Sequence, residues 1–144
     1  MKAINQIRLS FPSRSANEGF ARVAAAAFAA QLDPTVEEIS EIKTAVSEAV
    51  TNAIVHGYGD KLGTITLLGR LYEGGRLILT VKDKGKGIED VEQAMEPLFT
   101  TGNAEERSGM GFTIMETFMD RVKVRSAPGK GTTVTFTKQI SRKE

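Results

Sequence analysis

Three short segments carry more polar and glycine detail than packing requires: Ser47-Glu48-Ala49-Val50-Thr51-Asn52-Ala53-Ile54-Val55-His56-Gly57, Asp83-Lys84-Gly85-Lys86-Gly87-Ile88 and Arg107-Ser108-Gly109-Met110-Gly111-Phe112. In the first, a helical period of about 100° per residue puts Glu48 about 200° and Asn52 about 240° from Val46, so the two share a face opposite the apolar stripe. That pairing suits either two solvated residues or the wall of a site. In the second, Asp83 ends an alternating strand, where its carboxylate can accept a hydrogen bond from an exocyclic amine such as that of adenine. Gly85 and Gly87 let the backbone turn sharply and approach a flat or charged ligand, and the same residues would also make a plain turn. In the third, Gly109 and Gly111 precede a helix, leaving backbone N–H groups free for phosphate oxygens at the positive end of its dipole. A tight turn would use the same two glycines.

Several familiar sites are excluded. There is no Gly-x-x-x-x-Gly-Lys-Ser/Thr loop, and neither glycine pair is followed by the third glycine of a dinucleotide-binding turn. No His-Arg-Asp or Asp-Phe-Gly element and no Gly-x-Ser-x-Gly elbow occurs. One His and no Cys cannot supply the four ligands of a structural zinc site, and a disulfide scaffold is ruled out.

The chain's 144 residues suit one domain, and 19 Lys and Arg against 18 Asp and Glu give a net charge of +1. So small an excess argues against a bulk phosphate-neutralising field, and hence against direct nucleic-acid binding, although it says nothing of local patches. Arg8, Arg14, Glu18 and Arg22 break up the region where a secretory signal would lie, and the longest apolar run, Val23 to Ala30, is far short of a membrane span. With cysteine absent as well, a soluble cytoplasmic protein is expected.

Ile7, Leu9 and Phe11 alternate on a strand ended by Pro12. An alanine-rich helix is expected from Gly19 to Leu32, slim enough to approach a neighbour closely. Thr35 and Glu38 form a capping box for a second helix, whose stripe Val36, Ile39, Ile42, Val46, Ala49, Val50, Ala53 and Ile54 is buried and which Gly57 stops. Ile65, Leu67 and Leu71 pair with Leu77, Leu79 and Val81 through a Gly74-Gly75 turn. A long stretch rich in glycine and charge then runs to Ser108, with only Val91 to Met95 helical, and a loop of this length is expected to be functional. A helix from Gly111 to Met119 leads to a second hairpin, Val122 and Val124 to Val134 and Phe136 through Pro128-Gly129-Lys130-Gly131. The sum is an α+β two-layer sandwich, with helices on one face of a mixed, mostly antiparallel sheet. Residues 1–138 form one domain and residues 139–144 are expected as a disordered tail.

The order of these motifs, with Gly131-Thr132-Thr133 on the last hairpin, resembles the Bergerat-type ATP-binding fold of gyrase, Hsp90, sensor histidine kinases and MutL. More closely, Val46 to Ile54, Pro97-Leu98-Phe99-Thr100-Thr101 and Glu106 to Glu116 resemble the sporulation anti-sigma factors that are small serine kinases of endospore-forming bacteria. The resemblance implies Mg-ATP, or ADP, between the helical layer and a lid spanning Ile88 to Ser108. It implies Asn52 as the Mg²⁺ ligand, Glu48 as the general base and Arg107 near the terminal phosphate. It implies Asp83 as the adenine reader, with Thr132 or Thr133 beside it and Gly85 and Gly87 beneath the base. Ser108, Gly109, Met110 and Gly111 would line the phosphates, with hydroxyls from Thr100 and Thr101. His56 is expected to be a bystander rather than a phosphoacceptor. Arg22 matches a position that meets the sigma factor. A sporulation sigma factor and an anti-anti-sigma protein phosphorylated on serine are the implied partners, and a homodimer pairing through the first strand the implied assembly. A stress-response kinase of the same family and a non-catalytic adenine-nucleotide switch are the alternatives.

Overall fold

The computed structural model describes residues 2–95 and 111–141, with residues 92 and 93 described only in their backbone. Its elements are β1 (Asn5–Pro12), α1 (Ala16–Ala29), a 3₁₀ turn (Ala30–Leu32), α2 (Val36–Asn52), a π-helical segment (Ala53–Tyr58), β2 (Thr64–Tyr72), β3 (Arg76–Asp83), the short α3 (Val91–Ala94), α4 (Gly111–Phe118), β4 (Arg121–Ala127) and β5 (Gly131–Gln139).

The strands form one five-stranded sheet in the order β1-β2-β3-β5-β4, with the helices on one face, as the two-layer reading anticipates. Every pairing among the described residues is antiparallel, so the parallel neighbours of a mixed sheet are not found among them. The reason lies in the connections. The two helices between β1 and β2 form an out-and-back pair that returns the chain to the end it left, so β2 runs against β1. Between β3 and β4 the chain crosses over and the two strands do point the same way, but β5 folds back from β4 through a hairpin and fills the place between them.

The core is the interface between the inward residues of the strands and the apolar stripes of the helices. Ala21, Ala25 and Ala29 lie buried on one face of α1, against Ile42, Val46, Ala49 and Val50 of α2. Alanine at these positions lets the helices approach closely. Phe28 occupies the space left by Gly69 on β2, where an added Cβ would come within 2.7 Å of the ring.

The capping box forms as the sequence indicates: Glu38 N–H donates to Thr35 Oγ1 at 3.0 Å and Thr35 N–H to Glu38 Oε1 at 2.8 Å. Glu38 Oε2 also accepts from Ser141 N–H at 2.9 Å. Burial alone would raise the Glu38 pKa, but the hydrogen bonds from Thr35 and Ser141 together outweigh it and lower the carboxyl below its ordinary value. Order therefore runs past residue 138. Gln139 is in β5, Ile140 is buried and Ser141 is tied to α2, because the inward alternation of Val134 and Phe136 continues to Ile140.

Two boundaries differ from expectation. Helix α1 begins at Ala16 rather than Gly19, where Asn17 Nδ2 donates to the Pro12 carbonyl at 3.0 Å and fixes the turn out of β1. The second helix does not stop at Gly57. It widens into the π segment and ends at Gly59, whose φ is +63°.

Candidate nucleotide site

Helix α2 presents Glu48 and Asn52 on one face, and both are half-buried rather than openly solvated. The Asn52 side chain makes no hydrogen bond among the described residues, so its amide oxygen is free to act as a hard neutral ligand. No group of three or more His, Asp or Glu able to hold a metal is found among the described residues. A cation here would therefore have to bring most of its ligands with it, as a nucleotide-bound Mg²⁺ does through phosphates and water.

The π segment is what joins α2 to the Asp83 loop. The Gly57 carbonyl accepts from Lys86 N–H at 2.9 Å, and an added Cβ on Gly85 would lie 2.2 Å from that carbonyl oxygen. A Cβ on Gly57 would meet Asp83 Oδ1 at 3.0 Å. Helix and loop thus touch backbone to backbone at Gly85, where only glycine fits, while a side chain at Gly57 would press on the Asp83 carboxylate. This contact supplies the physical reason the helix continues past Gly57: the residue's carbonyl is engaged by another segment instead of by a helix stop. A π segment is uncommon and recurs at functional sites.

Asp83 is buried at the end of β3, and its Oδ1 accepts from Gly85 N–H at 2.8 Å. Burial pushes its pKa up, opposed by backbone N–H donation from Gly85 and Thr132. A buried carboxylate with unused acceptor capacity suits recognition of an amine donor. Thr132 sits opposite Asp83 in the β3–β5 register, half-buried beside it. Gly87, at φ +77°, passes so close to Ala127 that a Cβ would be 2.0 Å from its carbonyl oxygen.

Sequence reasoning passed over two residues that hold this loop. Tyr58 Oη donates to the Thr64 carbonyl at 2.6 Å and accepts from Lys84 N–H at 2.8 Å, with its ring lying across Gly63. Ser126 Oγ accepts from Ile88 N–H at 2.8 Å and lies 2.8 Å from both the Gly131 carbonyl and Thr132 Oγ1. A signal for Ser126 was present: it is a polar residue at the inward parity of a strand whose other inward residues are Val122 and Val124.

Asp83, Gly85 and Thr132 are thus brought together at one end of the sheet, with Gly57 joining them to the helix that carries Glu48 and Asn52, and the buried Gly111 opens α4, which packs on α2. Thr100, Thr101, Arg107, Ser108, Gly109 and Met110 lie outside the described residues, as does most of the expected lid. Arg22 is elsewhere. It lies on α1, with its Nε 3.5 Å from Glu18 Oε2, beside an open groove of about 360 Å³ that Ile39, Ser40, Lys43 and Ser47 also line. His56 lies in the π segment, half-buried.

Residues 11–138 match the histidine kinase-like ATPase domain model. The anti-sigma F factor of Thermoanaerobacter sp. (strain X514) is 60% identical over 140 residues, covering 97% of each chain. The chain belongs to the anti-sigma F factor family. The anti-sigma F factor of Geobacillus kaustophilus (strain HTA426) is 57% identical over 138 residues, 96% of this chain and 94% of that one. Among solved structures, the RsbU and RsbW domains of Rv1364c from Mycobacterium tuberculosis superpose with a TM-score of 0.69 at 22% identity, over 96% of this chain and 32% of the larger one, a likeness of fold. Family membership accounts for the ATPase-type architecture. Among the described residues, no helix is long and apolar enough to cross a membrane.

Proposed function

We propose that this protein is a cytoplasmic anti-sigma factor that restrains a sporulation sigma factor and, using Mg-ATP, phosphorylates a serine on an anti-anti-sigma antagonist. The observation that carries the reading is the linear order of the site. Glu48 and Asn52 lie about one turn apart on α2, at about 1.5 Å of rise per residue, and the π segment carries the chain on to Gly57, which abuts Asp83 and Gly85. Asp83 would hold the adenine of a bound nucleotide, and Asn52 and Glu48 would serve its phosphate end.

In this arrangement Asp83 accepts from the adenine amino group, and Thr132 supports it from β5. Asn52 would hold Mg²⁺, which would supply charge stabilisation for the phosphates. Glu48 accepts the proton of the attacking serine hydroxyl, and Arg107 neutralises charge on the transferred phosphoryl group. Phosphoryl transfer asks a protein chiefly for positioning and charge stabilisation, which one carboxylate, one amide and one guanidinium can supply. Arg22 and its groove would meet the sigma factor. The outer edge of β1, a terminal strand of the sheet, would pair with a second copy to give the homodimer.

The test is Glu48→Gln, assayed with purified antagonist and labelled ATP. Nucleotide binding should be retained while phosphoserine formation falls at least ~10²-fold, the low end for loss of a general base. Undiminished transfer would overturn the role of Glu48, and no phosphoserine from the unmutated protein would leave a binding switch in place of a kinase.

A further inference from the structure

The face of the sheet turned away from the helices carries an unusual charge distribution. Inward residues such as Ile65, Leu79 and Phe136 fill the core, so the alternate residues of each strand point outward. The outward set includes Arg8 on β1, Arg70 on β2, Arg76 and Lys82 on β3, and Arg121, Lys123 and Arg125 on β4, and all seven are exposed. No Asp or Glu occupies an outward position on any of the five strands. None of the seven is ion-paired among the described residues. Of the chain's 19 Lys and Arg, 12 remain to balance all 18 Asp and Glu elsewhere. A net charge of +1 therefore hides a molecule with one strongly cationic face and a net-negative remainder.

We infer that this open sheet face binds the phosphate backbone of double-stranded nucleic acid, independently of base sequence. Three observations favour that occupant over an acidic protein surface. The apolar residues at outward strand positions, Leu68 on β2 and Ile78 on β3, are partly buried, and Tyr72 is buried; with Ile4 at the β1 end they leave only a small exposed apolar area between the cations, whereas the buried core of a protein–protein interface is apolar and aromatic. Five of the seven cations are arginine, whose fork matches phosphate oxygens. Threonine hydroxyls at 66, 80, 133, 135 and 137 stand between them as further donors to phosphate. A duplex is favoured over a single strand because the ring at an outward strand position, Tyr72, is buried under Arg76 at 4.7 Å and offers no stacking platform. Four inter-strand spacings of about 4.8 Å make the face about 19 Å wide, close to the width of a duplex.

The experiment is fluorescence anisotropy of a labelled 24-base-pair DNA duplex with the full-length protein at about 50–200 mM salt. Binding should weaken with salt, and R121A/K123A/R125A should reduce the slope of log K against log salt by about 2.7, at about 0.9 per phosphate contact removed. R8A/R70A, on the far side of the same face, should reduce it by about 1.8. All five positions are exposed, so unchanged thermal unfolding separates lost binding from lost folding, and the two variants check each other. No binding at 50 mM salt, equal slopes for the variants and the unmutated protein, or tighter binding of the matching single strand would each overturn the inference. So would displacement of the duplex by polyglutamate at equal charge concentration, which would point to an acidic protein, or loss of a dimer in R121A/K123A/R125A by sedimentation, which would place a second copy on the face, since β4 is the strand farthest from the β1 edge.

Discussion

Substituting Gly85 by alanine tests whether the site rests on backbone contact between the π segment and the Asp83 loop. The added Cβ would lie 2.2 Å from the Gly57 carbonyl oxygen, 2.3 Å from its carbon and 2.7 Å from its Cα. None of these is the tip of a flexible side chain, so relief to an ordinary contact near 3.4 Å requires one backbone to move by about 1 Å. That movement would stretch the 2.9 Å bond from Lys86 N–H to Gly57 and shift the Gly85 N–H that Asp83 accepts. Overpacking of this kind costs about 1–3 kcal/mol, and at about 2–4 °C per kcal/mol for a domain near this size the melting temperature should fall by about 2–12 °C. Adenosine affinity should fall at least about tenfold, because Asp83 would leave its position. Gly74→Ala is the control: nothing lies within 4 Å of its Cβ, and its φ of +85° carries only the strain of a left-handed residue. Thermal unfolding and calorimetric titration with adenosine would decide. If Gly85→Ala matched Gly74→Ala in both, the backbone contact would not be what builds the site.

Three further outcomes follow from named contacts. Lys138 is buried, donating to the Phe118 carbonyl at 2.5 Å and lying 3.2 Å from Glu41 Oε1, so Lys138→Met should cost about 2–3 kcal/mol in urea unfolding, while Glu41→Gln costs less because Glu41 is partly solvated. Tyr58→Phe leaves Lys84 N–H and the Thr64 carbonyl without their partner, and amide exchange at Lys84 should accelerate by about tenfold or more, with unchanged exchange counting against the Tyr58 link. Because the Asp83 pKa is raised by burial, its contribution to stability is full below the unfolded value and is lost as pH rises through the folded one. An amine donor prefers the ionised carboxylate, so adenosine affinity should instead fall on acidification, beginning above the ordinary value of 3.8, and an affinity flat down to pH 4 would remove Asp83 from adenine recognition.

Local signals in the sequence were read correctly where one short-range interaction decides the outcome. The Thr35–Glu38 box, the Gly74-Gly75 turn with both φ values positive, and the alternation of Leu77, Leu79 and Val81 are all of this kind. Asp83 and its two glycines also stood out, since few strands end in a carboxylate followed by glycine at two alternate positions. What escaped was decided by partners distant in sequence. Gly57 looks like a helix stop until Lys86 and Gly85 are folded against it, and Tyr58 looks like an ordinary aromatic until Lys84 and Thr64 reach its hydroxyl. The sheet's uniform antiparallel order likewise depends on β5 entering between β3 and β4, which no local pattern encodes.

Whole-chain charge is silent about individual surfaces for the same reason. A sum over 144 residues treats every side chain as if it faced the same solvent, whereas register sorts each strand into two faces with different neighbours. Arg121, Lys123 and Arg125 are separated in sequence by Val122 and Val124, so the segment reads as a mixture of cation and apolar residue. Once Val122 pairs with Phe136 and Val124 with Val134 in the core, the three cations stand in a row about 6.8 Å apart on the other side. The pairing that buries the valines is also what lines up the charges. The nucleotide site and the cationic face therefore use opposite parities of the same β4–β5 hairpin: Ser126 and Thr132 point inward to support Asp83, while Arg125 and Thr133 point outward. A one-residue slip in that register would exchange the two sets and abolish both surfaces together.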